Sequence, residues 1–205
     1  MTSGNRPGLT RLISAAALAL AIAVGAPAGL RAEPASPHWD LAQLMRELAT
    51  VKTASAHFVE RRYLHLLKEP LVVSGTLSYR APDQLSKITL VPQTERLSVD
   101  RDQLTIDREG KSRTLRLEDY PEIWAIIEGI RGTLAGDRAA LEKYYDLKLE
   151  GSAASWTLSL VPQDSKIKQL VRTILIFGEG HSIRHILTLE QEGDRTDMTI
   201  TEDSP

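Results

Sequence analysis

The chain has 205 residues, a formal net charge of −2 and no cysteine. Without cysteine there is no disulfide, no thiolate metal site, no catalytic thiol and no lipid-modified cysteine to tether an exported protein to a membrane. Basic and acidic residues are interspersed on a mildly acidic chain, which argues against nucleic-acid binding and against a polybasic membrane patch.

Residues 1–32 read as a secretory signal: Arg6 and Arg11 precede an apolar run from Leu12 to Val24, and small residues follow. That run is shorter than the stretch of about 20 apolar residues that spans a membrane stably. Ala26-Pro27-Ala28 and Leu30-Arg31-Ala32 are both cleavage sites in kind, and cleavage after Ala32 is expected. Removing the segment takes away Arg6, Arg11 and Arg31 and no acid, leaving one domain over residues 33–205 with a net charge of −5. The expectation is a soluble protein exported to the periplasm.

From Trp39 onward, Leu41, Leu44, Met45, Leu48 and Val51 follow the i, i+3, i+4, i+7 spacing of an amphipathic helix. Pro34 and Pro37 suit its lead-in, since proline fits the first turn but not the interior. The period then changes to two. Val73, Leu77 and Tyr79 alternate with Ser74, Thr76 and Ser78, as on a strand with one apolar and one polar face. Short alternating runs follow over 86–91, 96–99, 103–106 and 114–117, with Asp107-Arg-Glu-Gly110 as a hairpin turn.

Tyr120-Pro121-Glu122 interrupts this meander and opens a second helix, with Ile123, Ile126, Ile127, Ile130 and Leu134 on one stripe. Asp137 is a natural N-cap for a short helix that runs out near Tyr145. Alternation resumes at Leu147 and Leu149, turns at 151–154, and continues through Trp156, Leu158 and Leu160 to Pro162. Runs over 170–177 and 183–190 flank Gly178-Glu-Gly180, and Glu192-Gly-Asp194 turns into Thr196, Met198 and Ile200. The count is ten or eleven strands and two main helices.

A sheet of that size with one apolar face must close on itself or be covered, and two helices cannot cover all of it. The fold class expected is α+β: antiparallel strands curled round their own helices as a half-filled barrel, which can enclose a ligand cavity. The competing expectation is a fully packed domain, because periodicity reports burial and not emptiness.

Little in the sequence points to catalysis. His38, His57, His65, His181 and His185 form no site; His181 and His185 are four apart, but across a turn and strand, where four residues span roughly 13 Å. Asp100, Asp102 and Asp107 with Gly110 lack the ligand order of a calcium loop and read as hairpin residues. Gly129-Ile-Arg-Gly132 is too isolated for phosphate binding, and no serine sits in a Gly-x-Ser-x-Gly elbow. The chain is read as a non-enzyme without cofactor or metal.

The order of elements resembles the outer-membrane lipoprotein carrier (LolA) family over nearly all of residues 33–205. The family's Phe-x-Gln strand appears as Phe58-Val59-Glu60, with glutamate for glutamine. Its Gly-x-Leu strand, basic residue, proline and apolar partner appear as Gly75-Thr-Leu77, Arg80, Pro82 and Leu85. Its closing strands are similar to Ile174-Leu-Ile-Phe-Gly-Glu-Gly180 and Leu189-Glu-Gln-Glu-Gly-Asp194. The resemblance implies an unclosed antiparallel barrel of eleven strands whose helices lid a hydrophobic cavity. Two departures stand out. The family's arginine before the proline, which latches the lid, is Ala81 here, and Arg80 lies one residue off, a shift that turns a strand side chain to the other face. The chain also stops at Pro205 just after its last strand, whereas better-known carriers continue into a C-terminal extension.

A carrier of this kind implies a cavity lined by Phe58, Leu77, Tyr79, Leu85, Ile123, Ile126, Ile127, Ile130 and Leu134, with Arg80 as a lid contact. The implied cargo is an acylated lipoprotein, moved by a monomer from an inner-membrane exporter to an outer-membrane acceptor. A carrier of another lipid or of a lipid-linked biosynthetic product needs the same cavity. An envelope-stress lipid sensor would need a signalling partner instead. The alternative for the isoleucine stripe is ordinary core, which differs from cavity lining only in how well it fills.

Overall fold

The alternating segments fold as one antiparallel sheet of eleven strands in a computed structural model that describes residues 39–203. The expected signal segment, its cleavage sites and His38 lie outside the described residues. The strands are β1 (Thr53–Tyr63), β2 (Leu71–Arg80), β3 (Gln84–Val91), β4 (Glu95–Asp100), β5 (Gln103–Arg108), β6 (Lys111–Arg116), β7 (Tyr145–Ser152), β8 (Ser155–Pro162), β9 (Val171–Glu179), β10 (Ser182–Glu190) and β11 (Arg195–Glu202). Their order is β6-β5-β4-β3-β2-β1-β11-β10-β9-β8-β7, so β1 lies at the centre beside β11 while β6 and β7 remain unpaired edges. The barrel is therefore unclosed, with four α-helices set against it.

Each helix end has a local cause. Helix α1 (Leu41–Leu48) starts at Asp40, whose carboxylate accepts the Gln43 N–H at 2.8 Å. Helix α2 (Pro121–Ala135) has proline in its first turn and ends at Gly136, whose φ of 65° is left-handed. A Cβ at Gly136 would lie 2.1 Å from the Met45 carbonyl oxygen, so this C-cap also sets how closely the end of α2 meets α1. Helix α3 (Arg138–Glu142) has the expected cap, Asp137 accepting from Ala140 N–H at 2.9 Å; it ends before Tyr145, which already belongs to β7.

Two elements differ from the sequence reading. Helix α4 (Ser165–Leu170) lies between β8 and β9, where only a connection was expected; Asp164 caps it through the N–H groups of Lys166 and Ile167. The run expected over 114–117 stops at Arg116, and Leu117–Asp119 form a 3-10 turn instead. Leu117 N–H donates to the Asp102 carbonyl at 2.7 Å, which swings its side chain into the core at 1 % exposure.

The buried apolar residues form two clusters, not one. In the first, Leu44, Met45 and Leu48 of α1 pack with Leu141 and with Tyr145, Trp156, Leu158, Leu160, Ile174 and Ile176 from the strands β7 to β9. In the second, Val99, Leu104 and Leu117 pack with Leu85, Ile106 and Leu115 from the β3 to β6 side. Helix α2 bridges them, giving Ile126, Ile130 and Leu134 to the first and Ile123, Trp124 and Ile127 to the second. Residues of both clusters border the space between them.

Candidate functional site

The inner face of the central strand β1 carries Ala54, Ala56, Phe58 and Glu60. Two alanines where the neighbouring strand β2 carries Tyr79 and Leu77 leave the middle of the sheet without side-chain volume, and interiors are otherwise close-packed. The result is a cavity of about 970 Å³ between α2 and the sheet. That lies at the upper end of small-molecule pockets, about 300–1,000 Å³.

Most of its wall is apolar. Leu77, Tyr79 and Leu85 line one side, Ile174, Ile183 and Ile186 the other, and Met198 and Ile200 the floor; Ile123, Ile126, Ile127, Ile130 and Leu134 of α2 form the roof. Burial along α2 distinguishes this roof from ordinary core. Its buried residues are Ala125, Glu128, Gly129, Gly132 and Thr133, whereas all five stripe residues are only partly buried. The small face is the tightly packed one: a Cβ at Gly129 would meet the Tyr145 hydroxyl at 3.1 Å, and one at Gly132 would meet Leu141 at 3.0 Å. Gly129-Ile-Arg-Gly132 is thus a packing surface for β7 and α3, and the isoleucine face overhangs unfilled space.

The roof is held by polar contacts at several points. The Tyr145 hydroxyl donates to the Ala125 carbonyl at 2.8 Å. Burial, with Glu128 and Tyr144 nearby, pushes the Tyr145 phenol well up, so it remains a neutral donor. Arg131 donates to the Arg101 carbonyl at 2.8 Å in the turn between β4 and β5, pairs with Glu128, and lies 5.7 Å from the Trp124 ring. The tie to the barrel runs from helix to strand turn.

Eight of the nine residues expected around a cavity line this one, and the ninth corrects the reading. Phe58 is not part of the lining: it is 2 % exposed, sits beside Gly75 in register, and is covered by Lys87, whose ammonium lies 4.8 Å from the ring centroid. Arg80 is exposed and pairs in register with Thr53 and Gln84; no described hydrogen bond or ion pair joins it to α2. Strand alternation puts it on the outer face, opposite to Tyr79.

Sequence reasoning passed over a charged part of the wall. Glu60 is 2 % exposed; its Oε2 accepts from Lys87 Nζ at 2.5 Å and its Oε1 from Arg62 Nε at 2.5 Å. Both Glu60 and Lys87 line the cavity. The signal that could have found them was the glutamate standing for glutamine in Phe58-Val59-Glu60. The Tyr79 hydroxyl, also buried in the wall, has no hydrogen-bond partner among the described residues, and burial together with Asp83 raises its phenol. Of the two spaced histidines, His181 lines the cavity, while His185 pairs with Asp197 at 2.9 Å and stacks near Phe177.

The family model for outer membrane lipoprotein carrier protein LolA-like matches residues 32–202. Among solved structures, a LolA superfamily protein from Nitrosomonas europaea is similar at 10% identity and a TM-score of 0.45, over 82% of this chain and 96% of that one. The complex of MucA and MucB from Pseudomonas aeruginosa matches at 15% identity and a TM-score of 0.47, over 82% of this chain and 59% of that one. LprF from Mycobacterium bovis matches at 12% identity and a TM-score of 0.35, over 80% and 93%. No curated protein matches the sequence. On its family match, the chain belongs to the LolA-like outer membrane lipoprotein carrier family.

Proposed function

We propose that this protein is a periplasmic carrier that takes acyl chains of a lipoprotein or related lipid into the cavity under α2 and moves them from the inner to the outer membrane. Residues 1–32 then serve as the export signal and residues 33–205 as the carrier domain. The observation that carries the reading is the half-buried isoleucine face of α2 over a cavity of about 970 Å³. Exposing an acyl chain to water costs about 0.8 kcal/mol per CH₂, so a multiply acylated lipid does not cross an aqueous compartment unaided. A container with an apolar wall removes that barrier. Among the described residues no helix is long and apolar enough to cross a membrane.

Release is as necessary as binding. The α2 roof touches the two clusters through isoleucines and is tied by Tyr145 and Arg131, a small number of bonds that an entering chain can strain. An inner-membrane exporter would load the cavity and an outer-membrane acceptor would empty it.

The test is native mass spectrometry, with lipid extraction, on protein purified from the periplasm without detergent. A stoichiometric acylated adduct is expected, and its mass separates lipoprotein from free lipid. In parallel, Leu85→Glu should abolish uptake of a fluorescent fatty acid while leaving a folded chain. An empty protein that also rejects added fatty acids would refute the carrier reading.

A further inference from the structure

Of the two lysines that line the cavity, Lys52 is exposed, whereas Lys87 is half-buried in the wall beside Leu77 and Leu97, its register partners on β2 and β4. Its place there is built and not incidental. Gly75 clears the path, because between β1 and β3 any side chain on its inner face would collide with the Ile88 carbonyl and the Phe58 ring. The lysine stem crosses this gap over Phe58, and Glu60 fixes the ammonium from the far side.

The local charge is unbalanced. Glu60 offers one negative charge to two cations, Lys87 and Arg62, so the cluster carries a net charge of +1. Both carboxylate oxygens of Glu60 are engaged, whereas an ammonium has three donors and Lys87 gives one described hydrogen bond. A buried ion pair gains little over apolar residues of similar size in stability alone. Inside a low-dielectric wall, an unsatisfied donor on a fixed cation attracts an anion strongly.

We infer that Lys87, held by Glu60, is a recognition point for the anionic head group of an amphipathic lipid, a carboxylate or a phosphate monoester, whose chain lies along the isoleucine roof. This rests on the carrier reading above and narrows it. The acyl region of a lipoprotein offers ester and amide oxygens but no anion, so the charged wall favours a free anionic lipid as cargo.

The experiment uses the delipidated full-length protein in alkaline buffer and a neutral fluorescent alkyl probe, displaced by hexadecanoic acid, hexadecyl phosphate or methyl hexadecanoate. At least one of the two anions should displace the probe at about ten-fold lower concentration than the ester, the size of one charge-assisted hydrogen bond. The head group with the advantage identifies the source. Lys87→Met, which leaves Glu60 paired with Arg62, should bring the anions to the level of the ester; the double variant Glu60→Gln, Lys87→Met, in which Arg62 is the cation that remains, should do the same. Equal displacement by acid, phosphate and ester in the unaltered protein would overturn the head-group site while the lipid cavity stands. Retention of the advantage in either folded variant would overturn the assignment to Lys87. If the probe and all three ligands fail to bind, the carrier reading falls first.

Discussion

The Tyr145 hydroxyl, at the start of β7, donates to the carbonyl of Ala125 in the middle of α2 at 2.8 Å. The bond lies on the tightly packed side of the helix, opposite the isoleucine roof. It therefore ties α2 to β7 from the side facing away from the cavity.

Tyr145→Phe keeps the ring that packs on Gly129 and removes only the hydroxyl. Because the Ala125 carbonyl is within helix α2, it retains its helical bond, and the cost should be about 1 kcal/mol. The change should concentrate in α2. Amide exchange over residues 121–135 should accelerate relative to the strands, with a small drop in Tm; uniform acceleration across the chain would mean that Tyr145 supports the whole fold and not the roof.

Gly75→Ala tests the close approach of β2 to β3. A Cβ there would stand 1.8 Å from the Ile88 carbonyl oxygen and 3.0 Å from Phe58 Cε1, next to an irregularity in register between Ser74 and Gly75. The neighbouring atom is backbone, so a side-chain shift does not relieve the clash. Destabilisation of about 1–3 kcal/mol is expected, measured as a lower urea midpoint at unchanged slope. A neutral result would mean that the β2–β3 spacing is looser than described.

How far the sequence discloses this molecule depends on range. The strands on both sides of α2 are legible because alternation is local: Val73, Leu77 and Tyr79 or Trp156, Leu158 and Leu160 report their own inner face. The cap at Asp137 is legible for the same reason. Helix α4 is not, since six residues are too few to show a period. Lys87 is not either, because its polar character argues for the outer face, and the partner that brings it inward is Glu60, 27 residues away and two strands over. Phe58 misleads in the opposite sense: its parity is inward, but Lys87 covers it. The cavity itself follows from what is missing, the volume at Ala54 and Ala56, and missing volume leaves no periodic trace.

Tyr79→Phe addresses the hydroxyl without a described partner. A buried polar group left unsatisfied costs about 1–3 kcal/mol, and its removal recovers part of that. The ligand-free variant should melt at the same temperature as the parent or higher. A fall in Tm would show that the hydroxyl is bonded, either to solvent in the cavity or to a retained ligand, and extraction before melting separates these.

The last prediction concerns acid. Asp194, in the connection before β11, accepts from the His65 backbone N–H at 2.7 Å and lies 3.0 Å from His65 Nδ1. The backbone bond first, then the side-chain bond and the imidazole charge, hold its carboxyl below the ordinary value of 3.8. With the folded value below the unfolded one, the tether between the β1–β2 loop and β11 is complete above pH 3.8 and is lost as pH falls through the folded value. The His65 amide proton should therefore titrate with a midpoint below 3.8, and Asp194→Asn, which keeps the acceptor oxygen but not the ionisation, should flatten that curve. A midpoint at or above 3.8 would mean that the loop carrying Leu66 and Leu67 is not held by Asp194 in solution.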